Sequence, residues 1–174
     1  MADFPDAMSG RTGFKVSQRD LLFLDRLKAI ESNTCCSRAK CGCLIERDGA
    51  VLVTGYAAVP PGDATCLEAG HVLVTVMKSD GDITEHCVRC IHAEQMAIAG
   101  AARKGICLDG ATIYCSFTPC LVCSRLILFS GIVRVVARRY YHTPTESVEF
   151  LSSQNIEIIH SSPEVQSYGG GCDA

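Results

Sequence analysis

The chain has 174 residues, a length that suits one domain, and its apolar share of 48% against 20% charged residues excludes a disordered chain. Lys and Arg number 16 against 19 Asp and Glu, a net charge of −3. A protein that grips nucleic acid through phosphates usually shows a basic face, and here the positives are scattered apart from Arg38/Lys40, Arg103/Lys104 and Arg138/Arg139, so no nucleic-acid partner is expected.

Residues 1–16 read as a flexible arm. Met1 to Gly10 carries two Asp, no basic cluster and no apolar stretch of a secretory leader. No run is long and apolar enough to span a bilayer, so no membrane partner and a cytoplasmic location are expected. A single folded domain is expected over 17–160. Ser17 followed by Asp20 resembles a capping box and opens a helix whose Phe23, Leu24, Leu27 and Ile30 share one face, with Asn33 ending it. Cys41–Glu46, the Asp48–Gly49 turn and Val51–Tyr56 read as a β-hairpin. Residues 57–86 read as a long loop broken by Pro60, Pro61, Gly62, Gly70 and Gly81, with Cys66, His71 and His86 in it as groups able to hold a metal. Ile91–Lys104 is Ala-rich and helical. A strand follows over Ala111–Phe117. Pro119 then stands where a first helical residue belongs, and Gly131 stops that helix. Val133–Ala137 is a strand, Thr145–Gln154 a helix and Ile156–His160 a last strand. Residues 161–174, with Gly169–Gly171, read as a flexible tail. This order of elements indicates an α/β fold with a mixed five-stranded sheet and helices on both faces.

Twelve cysteines are many for such a chain. In a cytosolic setting they point to metal ligation or core packing rather than disulfides. Cys41, Cys43, Cys107 and Cys115, in apolar surroundings, read as small buried hydrophobes. Cys120 and Cys123 read differently. They stand three apart at a helix start, where neighbours at that spacing share a face and the helix N-terminus favours thiolates. With His92 they make three donors, the number a catalytic zinc takes while keeping a fourth position for water, whose pKa it can bring from ~15.7 to about 7. Residues two apart on a helix do not face each other, so His92 and Glu94 can share a site only if His92 lies at the helix start. Glu94 is then free to carry protons rather than ligate. His92-x-Glu94 followed by Pro119-Cys120-x-x-Cys123 is the signature of zinc base deaminases. A closed structural zinc site would leave Glu94 without purpose. So would a catalytically silent zinc protein. Deamination of a base in RNA fits poorly with the acidic balance.

The wider chain resembles the deoxycytidylate deaminase family of the cytidine deaminase-like superfamily. The likeness runs from about Thr34 to Ile159 and rests on Cys36-Ser37-Arg38-Ala39-Lys40-Cys41-Gly42, Gly55-Tyr56, Pro61-Gly62, His86-Cys87-Val88-Arg89 and His92-Ala93-Glu94-Gln95. It continues through Gly110-Ala111-Thr112-Ile113-Tyr114, Pro119-Cys120-Leu121-Val122-Cys123, Val133-Arg134-Val135-Val136 and Tyr141. The resemblance implies hydrolysis of dCMP to dUMP and ammonia, a three-layer α-β-α sandwich, and a homo-oligomer, often a hexamer. It implies that the backbone around Ala93 and Thr118 meets the base, that Tyr141 sits beside the pocket, and that Arg38 and Lys40 are candidates for phosphate contact. It also implies a second, structural zinc on Cys36, Cys66 and Cys90, with His86 as fourth ligand and His71 and Cys87 as rivals. One departure matters. The family commonly has Gly-Tyr-Asn-Gly after the second hairpin strand, where the Asn helps hold the sugar; this chain has Gly55-Tyr56-Ala57-Ala58. A modified or different pyrimidine substrate is therefore the alternative.

Overall fold

The computed structural model describes residues 12–13, 16–36, 38–77, 81, 83–141 and 145–166. Most of the expected arm and tail lies outside these residues. Within them, β1 (Thr12–Gly13) pairs with β8 (Glu157–His160), and β9 (Val165–Gln166) pairs with β7 (Arg134–Tyr141). Helix α1 (Gln18–Glu31) opens as expected: Ser17 Oγ accepts from the Asp20 N–H at 3.1 Å, and the Asp20 carboxylate accepts from the Ser17 N–H at 2.8 Å. Strands β2 (Gly42–Arg47) and β3 (Ala50–Tyr56) form the hairpin, turning through Asp48 and Gly49, both left-handed with φ of 54° and 88°.

With β6 (Thr112–Phe117), the sheet runs in the order β1-β8-β7-β6-β2-β3. Pairs β6/β7, β7/β8 and β8/β1 are parallel, while β2 is antiparallel to both β3 and β6. The five expected strands are all present, in a mixed sheet, and the two-residue strands β1 and β9 extend it.

Period-2 alternation sorts the two faces. Leu44, Tyr114 and Val136 meet Phe23, Leu24 and Leu27 of α1 on one side. Their strand neighbours Cys43, Ile45, Ile113, Cys115 and Val135 turn the other way, into the core under α3 (Ala93–Lys104), α4 (Leu121–Phe129) and α5 (Thr145–Ser153). That is the three-layer α-β-α arrangement. Two ion pairs and a hydrogen bond tie α1 down: Arg134 meets the Asp20 carboxylate at 2.7 and 3.0 Å, Arg138 grips Glu31 at 2.9 and 3.1 Å, and Tyr114 Oη donates to Asp20 at 2.9 Å.

Three expectations need correction. Residues 57–86 are not one loop. They hold α2 (Cys66–Ala69), capped by Thr65, and a separate two-stranded sheet of β4 (Leu73–Met77) and β5 (Ile83–Cys87). The run Val72-Leu73-Val74-Thr75-Val76, four of its five residues β-branched, has strand propensity, but every β4 residue is exposed, so no apolar/polar alternation marks it. Cys107 is exposed in the link between α3 and β6, whereas Cys43 and Cys115 are fully buried and Cys41 lines a pocket. Pro119 is not the first helical residue. Cys120 takes the extended N-cap conformation, φ −67° and ψ 166°, and α4 starts after it, with the left-handed Gly131 beyond its end.

Candidate active site and zinc centre

Two helix N-termini, those of α3 and α4, meet at the catalytic motif. His92 is the N-cap of α3, with ψ 153°, and its N–H is held by the Gln95 side chain at 3.0 Å. The extended N-cap swings the imidazole off the helix, which lets a residue two before Glu94 share its site. His92 Nδ1 lies 3.5 Å from Cys120 Sγ and 3.4 Å from Cys123 Sγ. Bonds of about 2.3 Å to sulfur and 2.0–2.1 Å to nitrogen give a tetrahedral N···S edge of about 3.5 Å. The three donors lie within 4.8 Å of one another and suit a zinc ion with one open position.

The electrostatics are those of a metal-ready pair. The Cys120 thiol is pulled down to about 4, chiefly by a hydrogen bond with Cys123 and then, against burial, by the His92 ring and the Cys123 backbone N–H. Cys123 moves up because it keeps the shared proton and is buried. His92 is raised by its bond to Cys120. Burial pushes the Glu94 carboxyl up, with the His92 ring opposing.

One pocket gathers these groups. Glu94, His92 and Cys120 line it with Ala57, Ala93, Ser116, Phe117, Thr118 and Tyr141. Ala93 is the first residue of α3, where N–H groups have no partner in their own helix. Phe117 and Tyr141 form an aromatic pair with centroids 6.3 Å apart. Arg38 and His86 reach the same pocket, and Arg38 also donates to the Glu85 carbonyl at 3.3 Å. Lys40 does not line it; its ammonium donates to the Thr34 carbonyl at 3.0 Å.

A second donor group borders this pocket. Cys36, Cys66 and Cys90 form one set within 4.8 Å, and Cys66, His71 and Cys87 form another. Cys66 Sγ is 3.4 Å from Cys90 Sγ and 3.8 Å from Cys87 Sγ, against a tetrahedral S···S edge of about 3.8 Å around zinc. His86 joins neither set; its neighbour Cys87 does. Burial pushes the Cys87 thiol up, yet backbone N–H groups, led by that of Arg89, outweigh it and hold the thiol below its ordinary value. Cys35, which sequence reasoning missed, stands 3.9 Å from Cys90. Only its place beside Cys36 could have flagged it.

The family profile described as "Cytidine and deoxycytidylate deaminase zinc-binding region" matches residues 17–139. The chain belongs to this family. Its relatives include the deoxycytidylate deaminase of Mycobacterium phage D29, 36% identical over 67% of this chain and 91% of that protein. The deoxycytidylate deaminase of Saccharomyces cerevisiae is 32% identical over 80% of this chain and 43% of its own, so this chain spans less than half of that relative's length. Among solved structures, dCMP deaminase from the cyanophage S-TIM5, in complex with dCMP and dUMP, superposes with a TM-score of 0.66 at 22% identity, covering 84% of this chain and 98% of that one. The deaminase fold is thereby shown. Glu94 and the three donors all fall inside the span matched by the family profile.

Proposed function

We propose that this protein hydrolyses dCMP to dUMP and ammonia. The observation that carries the reading is the placing of His92 Nδ1 against both Cys120 and Cys123 sulfurs, with Glu94 in the same pocket. Zinc held by these three donors would supply the Lewis acidity that activates water. The rest falls to side chains and backbone. Glu94 takes a proton from the attacking water and delivers it to ring N3 as the water oxygen bonds to C4. It then passes the second proton to the exocyclic amine, which leaves as ammonia. On this reading the first-turn N–H of Ala93 and the wall at Thr118 would hold the base edge, Tyr141 would cover it, and Arg38, which reaches the pocket, would meet a phosphate. Lys40, engaged with Thr34, is the weaker phosphate candidate.

A second zinc, structural in role, would be held by Cys36, Cys66 and Cys90; for the fourth place His86 is the expectation from the sequence, and Cys87, which approaches Cys66 at 3.8 Å, is its rival. A homo-oligomer, up to a hexamer, is the favoured assembly. The α4 face of Val122, Leu126 and Phe129 and the wholly exposed β4 strand support it, since a lone two-stranded sheet is marginal in water. No described helix is long and apolar enough to cross a membrane. The net charge of −3 speaks against a nucleic-acid partner.

Ala57 favours a second reading. It lines the pocket where the family commonly presents a sugar-holding Asn, so a modified or different pyrimidine compound, or a base in tRNA, is the alternative substrate. Ammonia release from dCMP, dCTP, deoxycytidine, 5-substituted dCMP and tRNA decides. Fastest turnover of dCMP upholds the first reading, and preference for another compound transfers the assignment to it. No release from any member of the panel by zinc-replete protein ends both.

A further inference from the structure

Among the described residues outside the donor sets, the most deeply buried imidazole belongs to His160, the last residue of β8, which is 2% exposed. Nothing in the mechanism above uses it. Its Nε2 lies 2.9 Å from the hydroxyl of Thr118, a residue 3% exposed that lines the catalytic pocket. Its ring also stacks on Tyr140 at 3.7 Å with a 12° interplanar angle. Tyr140 is followed directly by Tyr141, which lines the pocket from the end of β7. Register fixes the imidazole in place: His160 pairs with Ala137, and the next N–H, of Ser161, donates to the Ala137 carbonyl at 3.0 Å.

We propose that His160 is a positioning residue for the deaminase pocket, holding the Thr118 hydroxyl from behind while its stack on Tyr140 fixes the strand end that carries Tyr141.

This role presupposes the deaminase activity proposed above. Two features favour it over plain core filling. A buried imidazole without a partner is costly, and here its bond goes to the one segment between β6 and the N-cap Cys120. The Thr118 N–H also donates to the Arg139 carbonyl at 3.0 Å, so backbone and side chain of Thr118 are pinned from two adjacent strands. Burial brings the His160 pKa down to about 4, which keeps the ring neutral and able to hold one fixed bond at neutral pH. A wall that contacts the base equally in ground and transition states governs KM more than kcat.

The test uses full-length, zinc-replete protein. His160→Phe keeps the stack and the bulk but loses the bond. It should raise KM for dCMP about tenfold while lowering kcat less than threefold, with zinc content unchanged. His160→Gln, whose amide nitrogen can stand where Nε2 stood, should restore KM to within about threefold of wild type. Thr118→Val removes the same bond together with the longer 3.5 Å bond from the Thr118 hydroxyl to the Arg139 carbonyl, so it should raise KM at least as much as His160→Phe, and the double variant should be no worse than Thr118→Val alone. A wild-type KM in His160→Phe, or effects that multiply in the double variant, overturns the role. Should His160→Phe fail to fold, the imidazole 15N resonances still decide. Thr118→Val should shift Nε2 of His160, and an unmoved resonance overturns the contact. That readout needs no turnover, so a wild type inactive on every cytosine compound would refute the deaminase reading while leaving the contact measurable.

Discussion

Glu94 and His92 share a pocket, and single substitutions can separate the proton-transfer and ligating roles proposed for them. We expect Glu94→Ala to keep its catalytic zinc, since His92, Cys120 and Cys123 remain, while turnover falls by about 10²–10⁴-fold through loss of proton transfer. Metal analysis beside ammonia release checks this, and near-normal turnover in metal-replete protein would remove Glu94 from the role. Cys66 belongs to both candidate donor sets of the second centre. Wild type should carry about two zinc ions per chain, and Cys66→Ser about one, with the catalytic ion retained. A stoichiometry of one in wild type prepared without chelator would sink the second site. At this scale the sequence was most legible where chemistry forces spacing: three donors and a carboxylate in a fixed pattern. It was least legible at Cys35 and His160. His160 follows Glu157-Ile158-Ile159 and reads as one more strand residue. Its partner Thr118 is 42 residues away, and only the β6/β7/β8 order brings them together.

Helix α3 carries both His92 and Glu94, and its seat is Gly55 of β3. A Cβ there would stand 2.1 Å from the Ala93 carbonyl oxygen and 2.8 Å from the Ala97 nitrogen, both of them backbone that cannot swing aside. Gly55→Ala must therefore push the first turn of α3 off the sheet. We expect it to destabilise the fold by about 1–3 kcal/mol and to weaken zinc retention, because His92 moves with the turn. Urea unfolding and competition against a chelator would show it. A variant equal to wild type in both would mean that α3 is not seated as described. The core elements were readable because their periodicity is strong: α1 by its cap and apolar stripe, β6 and β7 by their apolar runs. The stretch over 57–86 was misread because β4 is exposed on both faces and so has no buried face to write alternation into its sequence, and Gly70 and Gly81 masked the strands.

Across the whole molecule, the two sheet faces respond differently to acid. Behind the pocket, His160 is held neutral by burial, with its pKa near 4 against an ordinary value of 6.5. Between those values the unfolded chain binds a proton that the folded one refuses, so stability falls as pH falls, by about 3 kcal/mol across the window at 1.36 kcal/mol per unit. Under α1, burial opposes the charge on Asp20, but the bonds from Arg134, Ser17 and Tyr114 outweigh it and hold the carboxyl below the usual carboxylate range. That contribution is present above the ordinary carboxylate value and is lost as pH falls below about 4. The midpoint of urea unfolding should therefore decline from pH 6.5 to 4 more steeply in wild type than in His160→Gln. Parallel declines would show that His160 does not titrate with folding. The place of His160 in β8 has one more consequence, for the order of synthesis. Chains leave the ribosome N-terminus first. His92, Cys120 and Cys123 all emerge before residue 160, so a nascent chain has the three donors proposed for the catalytic zinc while the prop behind Thr118 is still unmade. Metal capture can precede the shaping of the base pocket, and the half-made protein would hold its ion before it could select a substrate.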